Sequence, residues 1–294
     1  MRTKNSGSGS EERRGGFQSL PINPTPPPLR SAMLNIIVCI KQVPETQEVR
    51  LDPETHTLKR EGIKSIINPF DLYALEEGLR VREARGGTVT LLTMGPPQAE
   101  EALREALGLG ADKAVLISDR AFAGADTWAT ALTLAKAIDK MGGADLIFTG
   151  KQAIDGDTAQ VGPMLATIMG IPYVGWARKL SFTGEATIEV ERLLDHGYDA
   201  VAADLPAVVS VVKEINEPRL PSFKAKLKAK KEAIPVWGLA DLDLGAENVG
   251  LAGSFTQVVK VFPPPPRGES QIWEGDPADL AARVWGRLKE LGRR

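Results

Sequence analysis

The sequence predicts a doubly wound, Rossmann-like α/β domain: a mostly parallel sheet with helices on both faces, an antiparallel extension and a C-terminal arm. Three observations carry that expectation. Four short apolar runs, LNIIVCI, TVTLLTM, KAVLIS and ADLIFTG, alternate with helical periodicity at 69–85, 98–109, 127–141 and 158–169; strands that alternate with helices pair in parallel through crossover connections. Polar residues stand where three of those helices begin, Asn68 before Pro69, Asp126 before Thr127 and Asp157 before Thr158, which is the chemistry of helix N-termini. From 187 to 212 the alternation stops and strand-like runs follow one another, TIEVERLL, DAVAAD and AVVSVV, the pattern of antiparallel edge strands.

In chain order, residues 1–32 hold SGSGS and PTPPP, show no periodicity and read as disordered. A tag, a linker or an upstream start would each look like this, so the stretch is set outside the fold. Residues 33–215 form the α/β domain. Within its first strand run, Cys39 reads as a small buried hydrophobe rather than a reactive thiol. Residues 216–294 form the arm. It opens on NEPRLPSFKAKLKAKKEAIPVW, a basic and poorly periodic segment with an isolated Phe223. An apolar stretch at 255–262 leads to four prolines that break the chain, and a helix is predicted over 276–292 with Leu280, Val284, Leu288 and Leu291 on one side.

Composition excludes several classes. At 294 residues, 43% hydrophobic and 25% charged, the chain can bury a full core. A net charge of −2 gives no global reason to bind nucleic acid. No apolar run is long enough to span a bilayer and the N-terminus lacks a signal-peptide core, so the chain is not integral to a membrane and is read as cytoplasmic. Cys39, His56 and His196 are too few for a zinc or iron–sulfur site, and a lone cysteine forms no internal disulfide, so no metal is expected.

The most informative stretch is GKQAIDGDTAQVG, residues 150–162, between the apolar run ending at Thr149 and a helix. Asp157 and Gln160 have capping-box spacing, so the helix is expected to start at Asp157 with its first amides and positive dipole end facing whatever lies beyond the strand. That arrangement suits a phosphate. The same pattern also serves as an ordinary strand-to-helix turn. It matches neither a dinucleotide GxGxxG nor a P-loop ending. KQVPETQEV at 41–49 has no Gly or Ser, which argues against an ATP-pyrophosphatase loop.

Six segments, taken in order, resemble the beta subunits of electron transfer flavoproteins: VCIKQVPET at 38–46, NPFDLYALEEGLRVRE at 68–83, LTMGPP at 92–97, SDRAFAGADTWAT at 118–130, GKQAIDGDTAQVG at 150–162, and LPAVVSV with NEPR at 205–219. The resemblance runs from Met33 to about Phe262. It implies an adenine-nucleotide-binding domain that acts in a heterodimer with an alpha subunit carrying the electron-transferring FAD. Ordinary members hold a structural AMP in the beta subunit. Bifurcating and Fix-type members hold a second FAD there, which takes hydride from NADH and sends one electron to the alpha FAD and the other to a low-potential acceptor such as ferredoxin or flavodoxin. KQVP at 41–44 and SDRAFAGADT at 118–127 are similar to the bifurcating members; Glu45 departs from their usual Asp.

By resemblance, the nucleotide contacts fall on Cys39, on Asn68, Pro69, Phe70 and Asp71, on Met94, and on Gly150, Lys151, Gln152, Ala153, Ile154, Asp155, Gly156, Asp157, Thr158, Ala159, Gln160 and Val161. Main-chain groups of this last segment are expected to hold the phosphates. Carboxylates repel an anion, so Asp155 and Asp157 are assigned to helix capping or ribose hydroxyls. Asp126 and Thr127 are the candidates for added flavin contacts. No catalytic side chain is expected, because the flavin itself does the redox chemistry. The resemblance also implies a docking loop for redox partners, an acyl-CoA dehydrogenase or a quinone oxidoreductase, with Phe223 at or near its apolar anchor and Lys228 and Lys231 beside it. A solvated linker with Phe223 packed on its own chain is the other reading.

Overall fold

The computed structural model of the chain describes residues 33–45, 65–260 and 271–292. The expectations of disorder for 1–32 and of a proline break at 263–266 lie outside the described residues.

β1 (Leu34–Cys39) holds Ile36, Ile37 and Val38 with no exposed surface, as a continuous apolar run does in a central parallel strand. β2 (Gln42–Pro44) pairs antiparallel with β3 (Ser65–Ile67) in a separate two-stranded sheet. α1 (Pro69–Arg85) has proline in its first turn, where no N–H is needed, and ends at Gly86, whose φ of 77° suits glycine and whose N–H donates to the Arg82 carbonyl at 2.8 Å. It buries Leu75 and Leu79 against the sheet, each worth about 1.5–3 kcal/mol. Gly78 permits the close approach: a Cβ there would lie 3.0 Å from Val38 Cγ2.

β4 (Gly87–Met94) pairs in parallel with β1, α2 (Glu100–Leu109) crosses to β5 (Lys113–Ile117), and α3 (Thr127–Lys140) returns the chain to β6 (Leu146–Gly150) on the other side of β1. The remaining elements are α4 (Val161–Met169), β7 (Tyr173–Phe182), β8 (Thr187–Leu194), β9 (Gly197–Asp204), β10 (Ala207–Val211), α5 (Phe223–Ala229), β11 (Val236–Trp237) and α6 (Pro277–Leu291). The sheet order is β11-β5-β4-β1-β6-β10-β7-β8-β9. Chain direction across the sheet reverses between β1 and β6, and the crevice beyond the carboxyl ends of such strands is where α/β folds bind ligands. One apolar cluster lies on the α1 and α2 face and a second on the α3 and α4 face.

Two expectations need correction. Residues 207–211 are no edge strand: β10 is fully buried and pairs in parallel with β6 and β7, because β7, which the sequence reading missed, supplies its outer neighbour. Within this nine-stranded sheet the antiparallel pairs are β7–β8 and β8–β9. The turn from one regime to the other is made at Trp176, at φ 61°, beside register shifts in both ladders. The far end of β7 then reaches the C-terminal end of α1, where the Arg85 guanidinium lies 4.5 Å from the Phe182 ring and donates to the Gly184 carbonyl at 3.1 Å.

The basic segment is also more ordered than its composition suggests. Ser222 caps α5 by accepting from Ala225 N–H at 3.1 Å, and α5 packs on α2, where Arg104 donates to the carbonyls of Ala229, Lys230 and Glu232. β11 then joins the sheet beside β5.

The chain divides into two compact units, one reaching Gln257 and one from Val258. In the second, Asp276 caps α6 through Ala278 N–H at 2.9 Å, and Val284, Trp285, Leu288 and Leu291 are exposed on it. No described helix is long and apolar enough to cross a membrane.

Candidate functional site

The carboxyl ends of β4, β1 and β6 lie side by side, and the loops that leave them form a crevice at the reversal point. Cys39 ends β1 and Met94 ends β4; both are partly buried and pack on the α3 and α4 side. Burial first, and then the Asp71 carboxylate, push the Cys39 thiol up to about 12, so it carries no thiolate chemistry.

The 150–162 segment departs from its predicted form. α4 begins at Val161 and not at Asp157. Asp157 (φ 55°) and Ala159 (φ 53°) are left-handed, so a helical hydrogen-bond ladder cannot pass through them. Asp157 therefore caps nothing; its carboxylate accepts from the Gln152 amide, and its N–H donates to the Ala153 carbonyl at 2.8 Å. Asp155 is not a cap either. Lys41, just past β1, holds both its oxygens at 2.8 Å, an exposed pair across the crevice mouth that contributes little to stability.

What the altered start creates is an uncapped helix. Gln160 occupies the position before α4 yet makes no side-chain cap; its side-chain oxygen instead accepts from the Thr127 hydroxyl at 3.1 Å. The first amides of a helix have no intrahelical partner, which leaves the Val161 and Gly162 N–H groups without one, while Pro163 has no N–H. Left-handed Ala159 followed by right-handed Gln160 turns successive N–H groups to one side, the concave arrangement that receives anions. Left-handed alanine costs about 1–2 kcal/mol, strain of the kind stored at ligand sites. A second signal lies beneath: Thr149 Oγ1 is buried with no hydrogen-bond partner in the structure, and a Cβ on Gly162 would lie 3.1 Å from it. Thr149 was absent from the sequence expectation, although a hydroxyl in the otherwise apolar run LIFTG was a visible signal. The set fits a phosphate or another oxyanion.

The rest of the segment anchors it. Gly150 N–H donates to Asp71 Oδ1 at 3.2 Å, and Lys151 N–H to the Val211 carbonyl at 2.9 Å. The Lys151 ammonium lies 5.2 Å from the Trp176 ring, directed at β7. Gly156 and Thr158 are exposed, and a Cβ on Gly156 would meet nothing within 4 Å. Phe70 approaches Gly150 so closely that a Cβ there would fall 2.7 Å from Phe70 Cβ. Pro69 occupies the first turn of α1. Asn68, expected to cap α1, makes no cap bond; it holds Gln152 and Ile154 of the loop instead.

Asp126 does cap α3, accepting from Ala129 N–H at 3.0 Å. Its other oxygen accepts from Thr256 N–H at 2.9 Å and from the Thr256 hydroxyl at 3.0 Å, while its own N–H donates to Ser254 Oγ. Burial pushes its carboxyl up, but these hydrogen bonds outweigh burial and hold it below the usual range. Asp126 and Thr127 thus sit at the crevice rim, the first tied to segment 254–256 and the second to Gln160.

Away from the crevice, Phe223 is 78% exposed, largely unpacked by the described residues, and the neighbouring Leu220 is 92% exposed. Asn216 and Arg219 of NEPR fix the base of this segment: Asn216 donates to Glu77, and Arg219 pairs with Glu76 at 2.8 Å and Glu83 at 2.6 Å.

Comparison with known proteins gives one consistent result. The electron transfer flavoprotein domain matches residues 55–242. The chain is 49% identical over 256 residues to an electron transfer flavoprotein subunit beta of Thermoanaerobacterium thermosaccharolyticum, covering 87% of this chain and 98% of that one. It is 44% identical over 259 residues to the caffeyl-CoA reductase-Etf complex subunit CarD of Acetobacterium woodii, with 87% and 98% covered. It is 43% identical over 272 residues to protein FixA of Azorhizobium caulinodans, with 88% and 96% covered.

Proposed function

The chain belongs to the electron transfer flavoprotein family as a beta subunit, and from that premise we propose that its crevice holds FAD, accepts hydride from NADH and passes electrons to an alpha-subunit FAD and to a low-potential acceptor such as ferredoxin or flavodoxin. The observation that carries the reading is the uncapped start of α4, beside strained Ala159 and the unpartnered Thr149 hydroxyl. FAD supplies hydride acceptance and one-electron transfer when bound.

The residues here bind and orient. Val161 and Gly162 N–H groups receive the phosphates, aided by the dipole of α4, which carries roughly half a positive charge at that end. Cys39 and Met94, at the ends of β1 and β4, would line the nucleotide crevice. The Thr127–Gln160 bond carries the crevice wall on to the start of α3, which gives a ligand longer than AMP a further surface. Relatives named FixA and CarD of a caffeyl-CoA reductase-Etf complex favour the FAD-binding, bifurcating reading over structural AMP. Redox partners, an acyl-CoA dehydrogenase or a quinone oxidoreductase, dock on exposed Leu220 and Phe223 with lysines around them.

The test is an anaerobic NADH titration of the full chain with its alpha subunit, followed by flavin absorbance. Bleaching of two flavins per heterodimer is expected. A flavin that NADH does not bleach would replace this reading with that of an ordinary member holding structural AMP.

A further inference from the structure

The motif NPFD was assigned to nucleotide contact, yet every polar atom of its Asn68 and Asp71 side chains is already engaged within the protein. Asp71 Oδ2 accepts from Lys41 N–H at 2.7 Å, and Oδ1 from Gly150 N–H at 3.2 Å and from Asn68 Nδ2 at 2.9 Å. Asn68 Nδ2 also donates to the Gln152 carbonyl at 2.9 Å, and its Oδ1 accepts from Ile154 N–H at 3.1 Å. Both residues are buried, 1% and 6% exposed. Lys41 follows β1 and Gly150 ends β6, the two strands that flank the reversal point. One carboxylate therefore spans the crevice floor and grips each lip by a backbone N–H.

We propose that Asp71 is a positioning residue: its carboxylate touches no ligand, but fixes the spacing of the β1 and β6 lips and thereby sets nucleotide affinity. The inference rests on the nucleotide-binding reading above and adds the residue on which the shape of that site depends.

Chemistry explains why an acid stands there. An ionised carboxylate is acceptor-only on both oxygens, whereas the protonated acid carries an O–H donor on one of them and an amide replaces one by an N–H2 donor, each weakening a site where an N–H already points. Burial opposes the ionised form and pushes the Asp71 carboxyl up to about 7, against the lowering effects of Asn68, Lys41 N–H and Gly150 N–H. The ionisable groups facing it are the Cys39 thiol and the Lys41 ammonium; the latter is drawn outward to Asp155. Further along α1, Glu76 is held by Arg219 and Arg80, and Glu77 by Asn216. The bracket thus changes state near neutral pH, and the lips loosen as pH falls.

The experiment measures FAD binding to the full chain by flavin fluorescence across the neutral range, for the native protein and Asp71→Asn. FAD is the probe because its pyrophosphate does not titrate there. Native affinity is expected to fall as pH drops through about 7, whereas Asp71→Asn binds about tenfold more weakly at high pH, from one lost charge-assisted hydrogen bond, with no pH dependence. Equal affinity and equal pH profiles for both would overturn the proposal. Because the variant could fail to fold, the native chain is also labelled with 15N-lysine and 15N-glycine. The Lys41 and Gly150 amide resonances should titrate together with a midpoint near about 7; two amides that do not move would overturn the bracket. Native protein that binds no FAD would count against the nucleotide reading alone, and the amide titration would still decide the role of Asp71.

Discussion

The Thr127 hydroxyl donates to the Gln160 side-chain oxygen at 3.1 Å, joining the first residue of α3 to the residue that precedes α4. The bond occupies the one side chain placed to cap α4, and so leaves the helix amides to a ligand. Thr127→Val removes it without changing the shape of the side chain. Nucleotide affinity should fall roughly fivefold, the worth of about 1 kcal/mol, with folding stability within about 0.5 kcal/mol of native. Isothermal titration with FAD measures the first and a urea melt the second; unchanged affinity would contradict the role given to this bond.

Gly150 has no room for a side chain. A Cβ would meet Asp71 Oδ1 and lie 2.7 Å from Phe70 Cβ and 2.8 Å from the Phe70 carbonyl carbon, two of the three being parts of rigid backbone or its first side-chain atom. Gly150→Ala should cost roughly 2–4 kcal/mol, because either α1 or the loop must shift. Gly156→Ala, where a Cβ meets nothing within 4 Å, is the control and should be near neutral. Denaturant midpoints of the two variants provide the comparison.

Arg219 sets a pH dependence. Burial pushes the Glu76 carboxyl up, but hydrogen bonds from Arg219 and Arg80 outweigh it and hold the group below its ordinary value; Arg219 lowers Glu83 in the same way. Carboxyls lowered in the folded state contribute stability above their unfolded pKa and lose it as pH falls through the folded value. Arg219→Met should therefore cost about 2 kcal/mol near neutral pH, and the difference from native should shrink as pH falls below about 4. Urea melts over that range would show it; a gap that widens in acid would refute the assignment.

Leu220 and Phe223 are exposed apolar side chains on a segment whose base is anchored. Replacing both by serine should leave stability within about 0.5 kcal/mol and slow electron transfer to a redox partner by tenfold or more, as loss of a central apolar anchor does. Stopped-flow electron transfer between the flavoprotein and its partner is the measurement. An unchanged rate would move the docking surface elsewhere.

Much of the fold was legible because its signals are local. Continuous apolar runs marked β1, β4, β5 and β6, and Asn68-Pro69 and Asp126-Thr127 marked two helix starts. The third start was misplaced for a physical reason: Asp157 and Gln160 have the spacing of a capping box, yet the chain holds 157 and 159 left-handed and leaves α4 uncapped. Local preference fails where a site requires strain. β7 escaped notice because Gly175, Arg178 and Lys179 interrupt its apolar pattern, and without β7 the neighbouring β10 looked like an edge. The contacts that shape the crevice were not legible, because they join distant residues: Lys41 with Asp155, 114 positions on, and Asn68 with Ile154, 86 positions on. The family resemblance placed Asp71 at the site, but only the fold shows that both its oxygens are engaged within the protein.

The most direct test of the central claim is to purify the full chain with its alpha subunit, release the bound cofactors by denaturation and quantify them. Two FAD and no AMP per heterodimer is the predicted result. One FAD with one AMP would contradict it, leaving the crevice around α4 as the seat of a structural nucleotide.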